Sequence, residues 1–218
     1  MKLQIALDID KKKAVNLIKD VHDDVDIIEI GTPLVKQEGL GVVNEFKKYN
    51  KPIVADLKTM DTGFLEAEMA FKAGANISTV CGCADNNTIK GAIKAGKKYN
   101  QKVLVDLISV PNKEVSKRTK EILKMKPGPD YLCVHTGIDV QEKGGSPFSD
   151  LKKVCRIVKG MKRNTKKPKI AVAGGLNLKN INKIKDFEDE VDIVIIGSAI
   201  TKAKNPSRII KLLRANLQ

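Results

Sequence analysis

Eight short apolar segments recur along this 218-residue chain, and a longer segment with spaced apolar residues follows each of them. The short segments are apolar through their middles, as parallel strands buried on both faces are. They cover residues 3–9, 26–31, 52–58, 77–82, 102–109, 131–137, 169–175 and 192–198. This pattern predicts eight parallel strands in chain order.

The intervening segments are long enough for helices, and Ala14, Leu17, Ile18 and Val21 show helical spacing in the first of them. The other predicted helices span 39–49, 66–73, 88–99, 115–125, 151–161, 178–187 and 206–213. Strand–helix alternation predicts a parallel sheet with crossover helices. Eight units of about 27 residues each predict an α/β fold, a (β/α)8 TIM barrel forming a single domain over residues 1–218.

The alternative fold is an open, doubly wound sheet, which usually has fewer strands. It carries a glycine-rich loop after the first strand when it binds a dinucleotide. Here the first strand ends in Asp8-Ile9-Asp10, with no glycine nearby. The barrel is therefore the favoured prediction.

The composition indicates a cytoplasmic protein without a membrane partner. No apolar run approaches the roughly 20 residues that a membrane-spanning helix needs. Asp8 lies where a signal peptide would need an apolar stretch. The four cysteines form no CxxC pair and no cluster with histidine, so we expect reduced thiols and no zinc site.

The formal charge of +14 raises the alternative of a nucleic-acid-binding protein. Aromatic residues are only 4% of the chain and tryptophan is absent, which leaves few side chains on which bases can stack. The lysines also recur along the whole chain. We interpret the charge as a solvated surface and predict no nucleic-acid partner.

Ionisable residues stand at the carboxyl ends of five predicted strands, which is where the active sites of such barrels lie. They are Asp8, Glu29, Asp56 with Lys58 and the following Asp61, Asp106, and His135. Charged groups in buried strands are costly unless they are paired, hydrogen-bonded or bound to a metal. Their convergence on one rim predicts a catalytic site.

Small residues end the last two strands instead. Gly174 and Gly175 end the seventh, and Gly197 and Ser198 end the eighth. Barrels of this type often bind phosphate with the loops after strands 7 and 8. We predict a phosphate-binding site there, while tight turns are the alternative role of these glycines.

Glu29 and Asp56 are oxygen ligands on neighbouring strands and are candidates to hold one Mg²⁺. Lys58 lies two residues beyond Asp56 on the same face, where it would stabilise a developing negative charge. A purely structural Asp–Lys ion pair is the alternative. His135 is the candidate for acid–base chemistry, unless it is a core histidine bonded to a carbonyl. Asp8 and Asp106 would orient Lys58 and substrate hydroxyls, or only balance charge.

The segment 56–61 has the form Asp-x-Lys-x-x-Asp and resembles the signature of the orotidine-phosphate decarboxylase superfamily. The segments EIGTP (29–33), VD (105–106), VHTG (134–137), followed by Asp139 and Gln141, and AVAGG (171–175) are similar to the 3-hexulose-6-phosphate synthase family. The similarity runs in order along nearly the whole chain. Gly197-Ser198-Ala199 departs from the family's commonest pattern, a triple glycine, and affects only the identity of the phosphate donors.

This resemblance implies a barrel fold and a Mg²⁺-dependent aldol reaction between formaldehyde and ribulose 5-phosphate. It implies Glu29 and Asp56 as metal ligands, Lys58 as the group that stabilises the enediolate, and His135 as the proton-transfer residue, with Asp61 or Asp106 as its candidate helpers. In the superfamily the last Asp of the signature reaches into the partner subunit's site. Asp61 therefore implies a homodimer with shared active sites.

The nearest alternative is 3-keto-L-gulonate-6-phosphate decarboxylase, which shares the metal and the lysine. The chain resembles it less at three positions, where Ile138, Asp106 and Ser198 stand in place of Arg, Glu and Arg. A phosphosugar epimerase of the metal-dependent type needs several histidines at strand ends, and His135 alone fulfils that condition here.

Overall fold

The chain forms a closed barrel of eight parallel strands, as the sequence predicted. A computed structural model describes residues 1–162 and 165–217. Each strand pairs with the next in chain order and the last pairs with the first. The strands are β1 (Lys2–Leu7), β2 (Ile27–Ile30), β3 (Ile53–Thr59), β4 (Ile77–Cys81), β5 (Lys102–Asp106), β6 (Tyr131–His135), β7 (Lys169–Ala173) and β8 (Val191–Ile196).

Helices follow the strands around the outside of the barrel. They are α1 (Lys11–Val21), α2 (Thr32–Glu38), α3 (Gly63–Ala73), α4 (Asn86–Lys98), α5 (Val115–Leu123), α6 (Ile138–Gln141), α7 (Phe148–Lys159), α8 (Ser198–Thr201) and α9 (Pro206–Leu217). The short helices α6 and α8 follow β6 and β8 directly and were not predicted. In the described part of the chain, no helix combines the length and the apolarity needed to cross a membrane.

Two of the predicted helices are wrong in type. The segment 39–49 forms 3₁₀ turns, because α2 begins earlier and ends at Gly39, whose φ of 69° is left-handed. The segment 178–187 is also 3₁₀ from Ile181 onward. Just before it, the side chains of Asn177 and Asn180 accept hydrogen bonds from nearby backbone N–H groups, which competes with a regular helical turn.

Alternation along the strands produces two apolar layers. Leu3, Ile5 and Leu7 of β1 face outward and pack with helix residues such as Ala14 and Ile18. Inward-facing residues fill the barrel itself, and they include Ala6, Ile27, Val54, Ile77, Leu104, Cys133, Ala171, Ala173, Ile193 and Ile195. The interior is therefore packed below the carboxyl ends of the strands, and any cavity must open above that layer.

One hydrogen-bonding motif occurs four times at the amino end of the barrel. An Asp or Asn at the start of each even-numbered strand accepts a hydrogen bond from the N–H of a residue near the start of the preceding strand. The donor–acceptor pairs are Leu3 with Asp26, Ile53 with Asn76, Val103 with Asp130, and Ile170 with Asp192, at 2.8 to 3.2 Å. This motif satisfies backbone donors at the end opposite to the predicted site.

Candidate active site

A cavity of about 490 Å³ opens at the carboxyl ends of the strands. Ten of the eleven predicted site residues line it: Asp8, Glu29, Asp56, Lys58, Asp106, His135, Gly174, Gly175, Gly197 and Ser198. Other lining residues include Thr32, Thr79, Ile138, Asp139 and Gln141. The charged side chains and the glycines that were predicted to meet on one rim thus surround one cavity.

Asp61 is the exception. It lies on the exposed turn before α3, where its carboxylate accepts a hydrogen bond from the N–H of Thr62, and it does not line the cavity of its own chain. A role within this chain's own cavity is therefore not supported. The prediction that Asp61 reaches a partner subunit's site stays a prediction.

Asp56 lies at the centre of the charged network. Its Oδ2 pairs with the ammonium group of Lys58 and lies 2.8 Å from the hydroxyl oxygen of Thr32. The other carboxylate oxygen, Oδ1, accepts a hydrogen bond from Thr79 at 2.8 Å. These partners account for a carboxylate that is only 3% exposed, because buried charges persist only when they are paired and hydrogen-bonded.

Lys58 is held as a cation inside the cavity. Burial lowers its pKa, but the carboxylates of Asp56, Asp106 and Glu29 outweigh that effect and raise the pKa above its ordinary value. The Nζ atom lies 3.9 Å from Asp106 Oδ2. The backbone of Lys58 has a left-handed φ of 46°, which is rare for a residue with a side chain and often marks a functional site.

Glu29 lies deeper in the barrel than Asp56. It pairs in register with Val54, two residues before Asp56, and its Oε2 accepts a hydrogen bond of 2.8 Å from Gln4 Nε2. Burial raises the pKa of Glu29 well above its usual range, and the neighbouring charge of Asp56 raises it further. A cation close to both carboxylates would favour the ionised form of Glu29.

The donor set at Glu29 and Asp56 suits a magnesium ion. Mg²⁺ commonly takes one or two carboxylates from the protein and keeps water or substrate oxygens at its other positions. Within residues 1–162 and 165–217, no three His, Cys, Asp or Glu side chains gather as they would in a closed metal site. Two buried carboxylates beside an open cavity match the magnesium pattern and do not match a structural zinc site.

Asp106 and His135 form a second pair on adjacent strands. Asp106 Oδ2 lies 2.8 Å from His135 Nδ1, and Asp106 Oδ1 accepts a hydrogen bond from the N–H of Ile108. Burial lowers the pKa of His135, but the charge of Asp106 outweighs it and raises that pKa above its ordinary value. Burial also raises the pKa of Asp106, and the imidazole and Lys58 reverse this and lower it.

Asp8 extends from the end of β1 over the edge of the cavity. A Cβ on Gly31 would lie 2.1 Å from its carboxylate, so the absence of a side chain at the end of β2 makes room for Asp8. Burial raises the pKa of Asp8, with a further contribution from Asp56, while Lys58 and His135 oppose the shift. Asp8 therefore belongs to the same charged cluster.

The glycines line the cavity at the ends of β7 and β8. Gly174 and Gly175 have φ values of 105° and 69°, and a Cβ on Gly174 would lie 2.3 Å from the carbonyl oxygen of Thr136. The carbonyl of Gly175 accepts hydrogen bonds from the side chains of Asn177 and Asn180, which hold this turn in place. The turn leaves backbone near the cavity without side chains to block a ligand.

Three polar side chains at the site were missed by the sequence analysis. Gln4, Thr32 and Thr79 contact the carboxylates of Glu29 and Asp56. Gln4 and Thr79 lie on strands, at positions whose side chains face the barrel interior. A polar residue at an inward-facing position of an otherwise apolar strand could have pointed to them, because a buried polar group needs a hydrogen-bond partner.

The sequence of the chain matches one protein family and its named members. The profile described as "Orotidine 5'-phosphate decarboxylase / HUMPS family" matches residues 1–213. A 3-hexulose-6-phosphate synthase of Bacillus subtilis (strain 168) is 42% identical over 206 residues, which are 93% of this chain and 92% of the relative. These similarities confirm the resemblance and the enzyme class inferred from the sequence motifs.

Solved structures agree. The 3-hexulose-6-phosphate synthase from Salmonella typhimurium superimposes with a TM-score of 0.89 at 37% identity, over all of this chain and 98% of the other. The 3-keto-L-gulonate-6-phosphate decarboxylase from Vibrio cholerae gives a TM-score of 0.79 at 26% identity, over 99% and 96% of the two chains. Because the profile spans nearly the whole chain, the chain belongs to the orotidine 5'-phosphate decarboxylase / HUMPS family.

Proposed function

We propose that the protein is a 3-hexulose-6-phosphate synthase. It would catalyse the reversible, Mg²⁺-dependent aldol condensation of formaldehyde with D-ribulose 5-phosphate to give D-arabino-3-hexulose 6-phosphate. The observation that carries the proposal is one cavity lined both by charged groups, Lys58 and the Asp106–His135 pair among them, and by glycine turns. The similarity to named synthases from Bacillus subtilis and Salmonella typhimurium supports the choice of reaction.

The proposed reaction begins with loss of a proton from C1 of the sugar phosphate. Because Nδ1 of His135 is bonded to Asp106, the other ring nitrogen, Nε2, is the candidate base. The resulting enediolate is stabilised by the ammonium group of Lys58. Carbon C1 then forms a bond to the formaldehyde carbon, and the proton held by His135 passes to the former formaldehyde oxygen.

Glu29 and Asp56 are the proposed ligands of the magnesium ion. When bound, the ion supplies Lewis-acid polarisation of substrate oxygens next to the reacting carbon. Gln4, Thr32 and Thr79 orient the two carboxylates through the hydrogen bonds already described. Asp8 is proposed to orient the ammonium group of Lys58 or a substrate hydroxyl.

The phosphate group is proposed to lie against Gly174, Gly175, Gly197 and Ser198. A barrel enzyme commonly holds phosphate at this place, with backbone N–H groups as donors. Placing the phosphate there directs the other end of the sugar toward Lys58 and His135. One substrate would then contact both the glycine turns and the charged groups of the cavity.

We also propose a homodimer in which Asp61 completes the neighbouring subunit's site. Asp61 is exposed, and Met60, Leu65 and Met69, which are each at least half exposed, lie on the same turn and on α3. Exposed apolar side chains grouped in this way are typical of an interface.

Light scattering on the purified protein tests whether the chain forms a dimer. A mixture of Asp61→Ala and Lys58→Ala subunits tests the sharing, because only mixed dimers would regain activity.

The second candidate function is 3-keto-L-gulonate-6-phosphate decarboxylase, favoured by the similarity to the Vibrio cholerae structure. By the resemblance described above, the decarboxylase family has an Arg where this chain has Ile138. In this chain that side chain is 62% exposed at the cavity and supplies no proton. The synthase is therefore the better proposal.

One paired assay tests both candidates. Purified protein with Mg²⁺ is expected to consume formaldehyde only when ribulose 5-phosphate is present. Release of CO₂ from 3-keto-L-gulonate 6-phosphate, with formaldehyde left untouched, would contradict the synthase proposal and support the decarboxylase. Lys58→Ala and Asp56→Ala are expected to fold and lose turnover, and full activity in either variant contradicts its assigned role.

A further inference from the structure

Strand β3 leaves its register with β4 at the active site. Ala55 lies opposite Ser78, whereas Thr59 lies opposite Val80, so β3 inserts two extra residues between these pairs. Such a bulge disrupts the regular ladder of backbone hydrogen bonds. It contains Asp56 and Lys58, whose side chains both enter the cavity. The local departure from ideal geometry thus coincides with the two residues that need exact placement.

Side chains of β4 take over the backbone hydrogen bonds of Lys58. The N–H of Lys58 donates to Thr79 Oγ1 at 2.9 Å. Its carbonyl oxygen accepts from the thiol of Cys81 at 3.2 Å. Burial raises the pKa of the Cys81 thiol to about 12, so the thiol keeps the proton that it donates. Lys58 is thereby held on both sides of its left-handed backbone.

The hydroxyl of Thr79 also reaches the neighbouring carboxylate. It donates its single proton to Asp56 Oδ1 at 2.8 Å while it accepts from the N–H of Lys58. Thr79 and Asp56 are each only 3% exposed, so water does not readily replace either partner. A single hydroxyl therefore joins the carboxylate of one proposed functional residue to the backbone of the other.

We propose that Thr79 is a positioning residue that sets the distance and orientation between Asp56 and Lys58. The proposal rests on the function proposed above, in which these two residues act on one substrate. Thr79 itself need not contact substrate. Its hydroxyl stabilises the bulge in the one arrangement that turns both side chains into the cavity.

Removal of the hydroxyl takes the hydrogen-bond partner from the buried Asp56 Oδ1 and from the N–H of Lys58. The backbone of Lys58 then has fewer hydrogen bonds to hold it in the left-handed conformation, which is unfavourable for a residue with a side chain. A displacement of about 1 Å in a catalytic group lowers turnover by as much as about 100-fold. Because the glycine turns lie on β7 and β8, binding of the phosphate is expected to change little.

The test compares three substitutions on β4 in the full-length protein. Thr79→Val removes the hydroxyl with little change of shape, and Thr79→Ser keeps it. Ser78→Ala is the matched control, because Ser78 is buried on the adjacent position and its hydroxyl has no hydrogen-bond partner among the residues that the structure describes. Steady-state formaldehyde consumption gives kcat and KM, and thermal unfolding monitors the fold.

We expect kcat of Thr79→Val to fall by about 10- to 100-fold, the range typical for loss of an outer hydrogen-bond partner, with KM for ribulose 5-phosphate nearly unchanged. Thr79→Ser should recover most of the turnover, and Ser78→Ala should match the unsubstituted protein. A crystal structure of Thr79→Val should show the Lys58 ammonium moved away from Asp56.

Wild-type kcat in Thr79→Val, or an equal loss in Thr79→Ser and Thr79→Val, overturns the proposal. If Thr79→Val does not fold, Thr79→Ala is judged by the same criteria against Thr79→Ser. These outcomes are distinct from failure of the proposed function, which would show itself as an unsubstituted protein that leaves formaldehyde untouched. In that case the crystal structure alone decides whether Thr79 positions Lys58.

Discussion

His135 Nδ1 lies 2.8 Å from Asp106 Oδ2, and this bond determines which ring nitrogen is available in the cavity. A neutral imidazole carries one proton, and a carboxylate partner draws that proton to the nitrogen it faces. The proton of neutral His135 therefore lies on Nδ1, and Nε2 keeps a free lone pair. The same carboxylate raises the pKa of His135 above its ordinary value, so a smaller share of the imidazole is the neutral base at a given pH.

We predict that Asp106→Asn shifts the acid limb of the pH–rate profile to lower pH. The carboxylate of Asp106 stabilises the imidazolium, so its removal lowers the pKa of His135, and the neutral base then persists to lower pH. The measurement is kcat/KM for formaldehyde consumption across the pH range in which the protein stays folded. His135→Gln should abolish this limb altogether. A limb that stays in place or moves to higher pH in Asp106→Asn would contradict the assignment.

Substitution of Gln4 is predicted to weaken magnesium binding. Gln4→Met keeps the length of the side chain but removes the donor that bonds Glu29 Oε2. Loss of a partner that orients a metal ligand typically lowers metal affinity by about 10- to 100-fold. Isothermal calorimetry with Mg²⁺ and the Mg²⁺ concentration required for half-maximal activity are the two measurements. Equal Mg²⁺ affinity in Gln4→Met and the unsubstituted protein would show that Gln4 does not orient Glu29.

Gly174→Ala is predicted to destabilise the fold. A side chain at this position must adopt a left-handed φ and would place its Cβ 2.3 Å from the carbonyl oxygen of Thr136. The backbone strain alone costs about 1–3 kcal/mol. Gly41→Ala is the matched control, because its Cβ meets nothing within 4 Å and its φ is not left-handed. Chemical denaturation should separate the two variants, and equal stability would refute the steric argument.

Asn76→Ala is predicted to lower stability without affecting turnover. It removes the acceptor for the N–H of Ile53 at the amino end of the barrel, opposite to the cavity. An unsatisfied buried donor costs about 1–3 kcal/mol. Denaturation midpoints and kcat per folded molecule are the measurements. A marked fall in kcat of the fully folded variant would contradict this prediction and would mean that the amino end of the barrel affects the active site.

Much of the candidate site followed from the order of residues along the chain. Parallel strands that alternate with helices bring their carboxyl ends to one rim, so a residue at a strand end is placed without knowledge of any contact. This argument placed Asp8, Glu29, Asp106 and His135 around one cavity. It also placed the glycines that end the last two strands around this cavity. Local sequence was sufficient because strand ends are local features.

The helical boundaries were less predictable. Apolar spacing over 39–49 resembles a helix, yet the chain forms α2 before Gly39 and 3₁₀ turns after it. Gly39, which has a left-handed φ, ends α2, and apolar residues such as Val42 and Phe46 still reach the core from the 3₁₀ turns that follow. The same burial pattern is compatible with both backbones, so periodicity did not distinguish them.

The sequence by itself determined the number and order of the strands and the rim on which the ionisable residues meet. Only the tertiary structure decided how those residues are joined: the pair formed by Asp106 and His135, the bulge that turns Asp56 and Lys58 together, and the bonds from Gln4 and Thr79. Strand identity depends on apolar patterns within a few residues. Register and side-chain pairing depend on hydrogen bonds between segments some 20 to 30 residues apart, such as Asp56 with Thr79 and Asp106 with His135, and no local pattern encodes them.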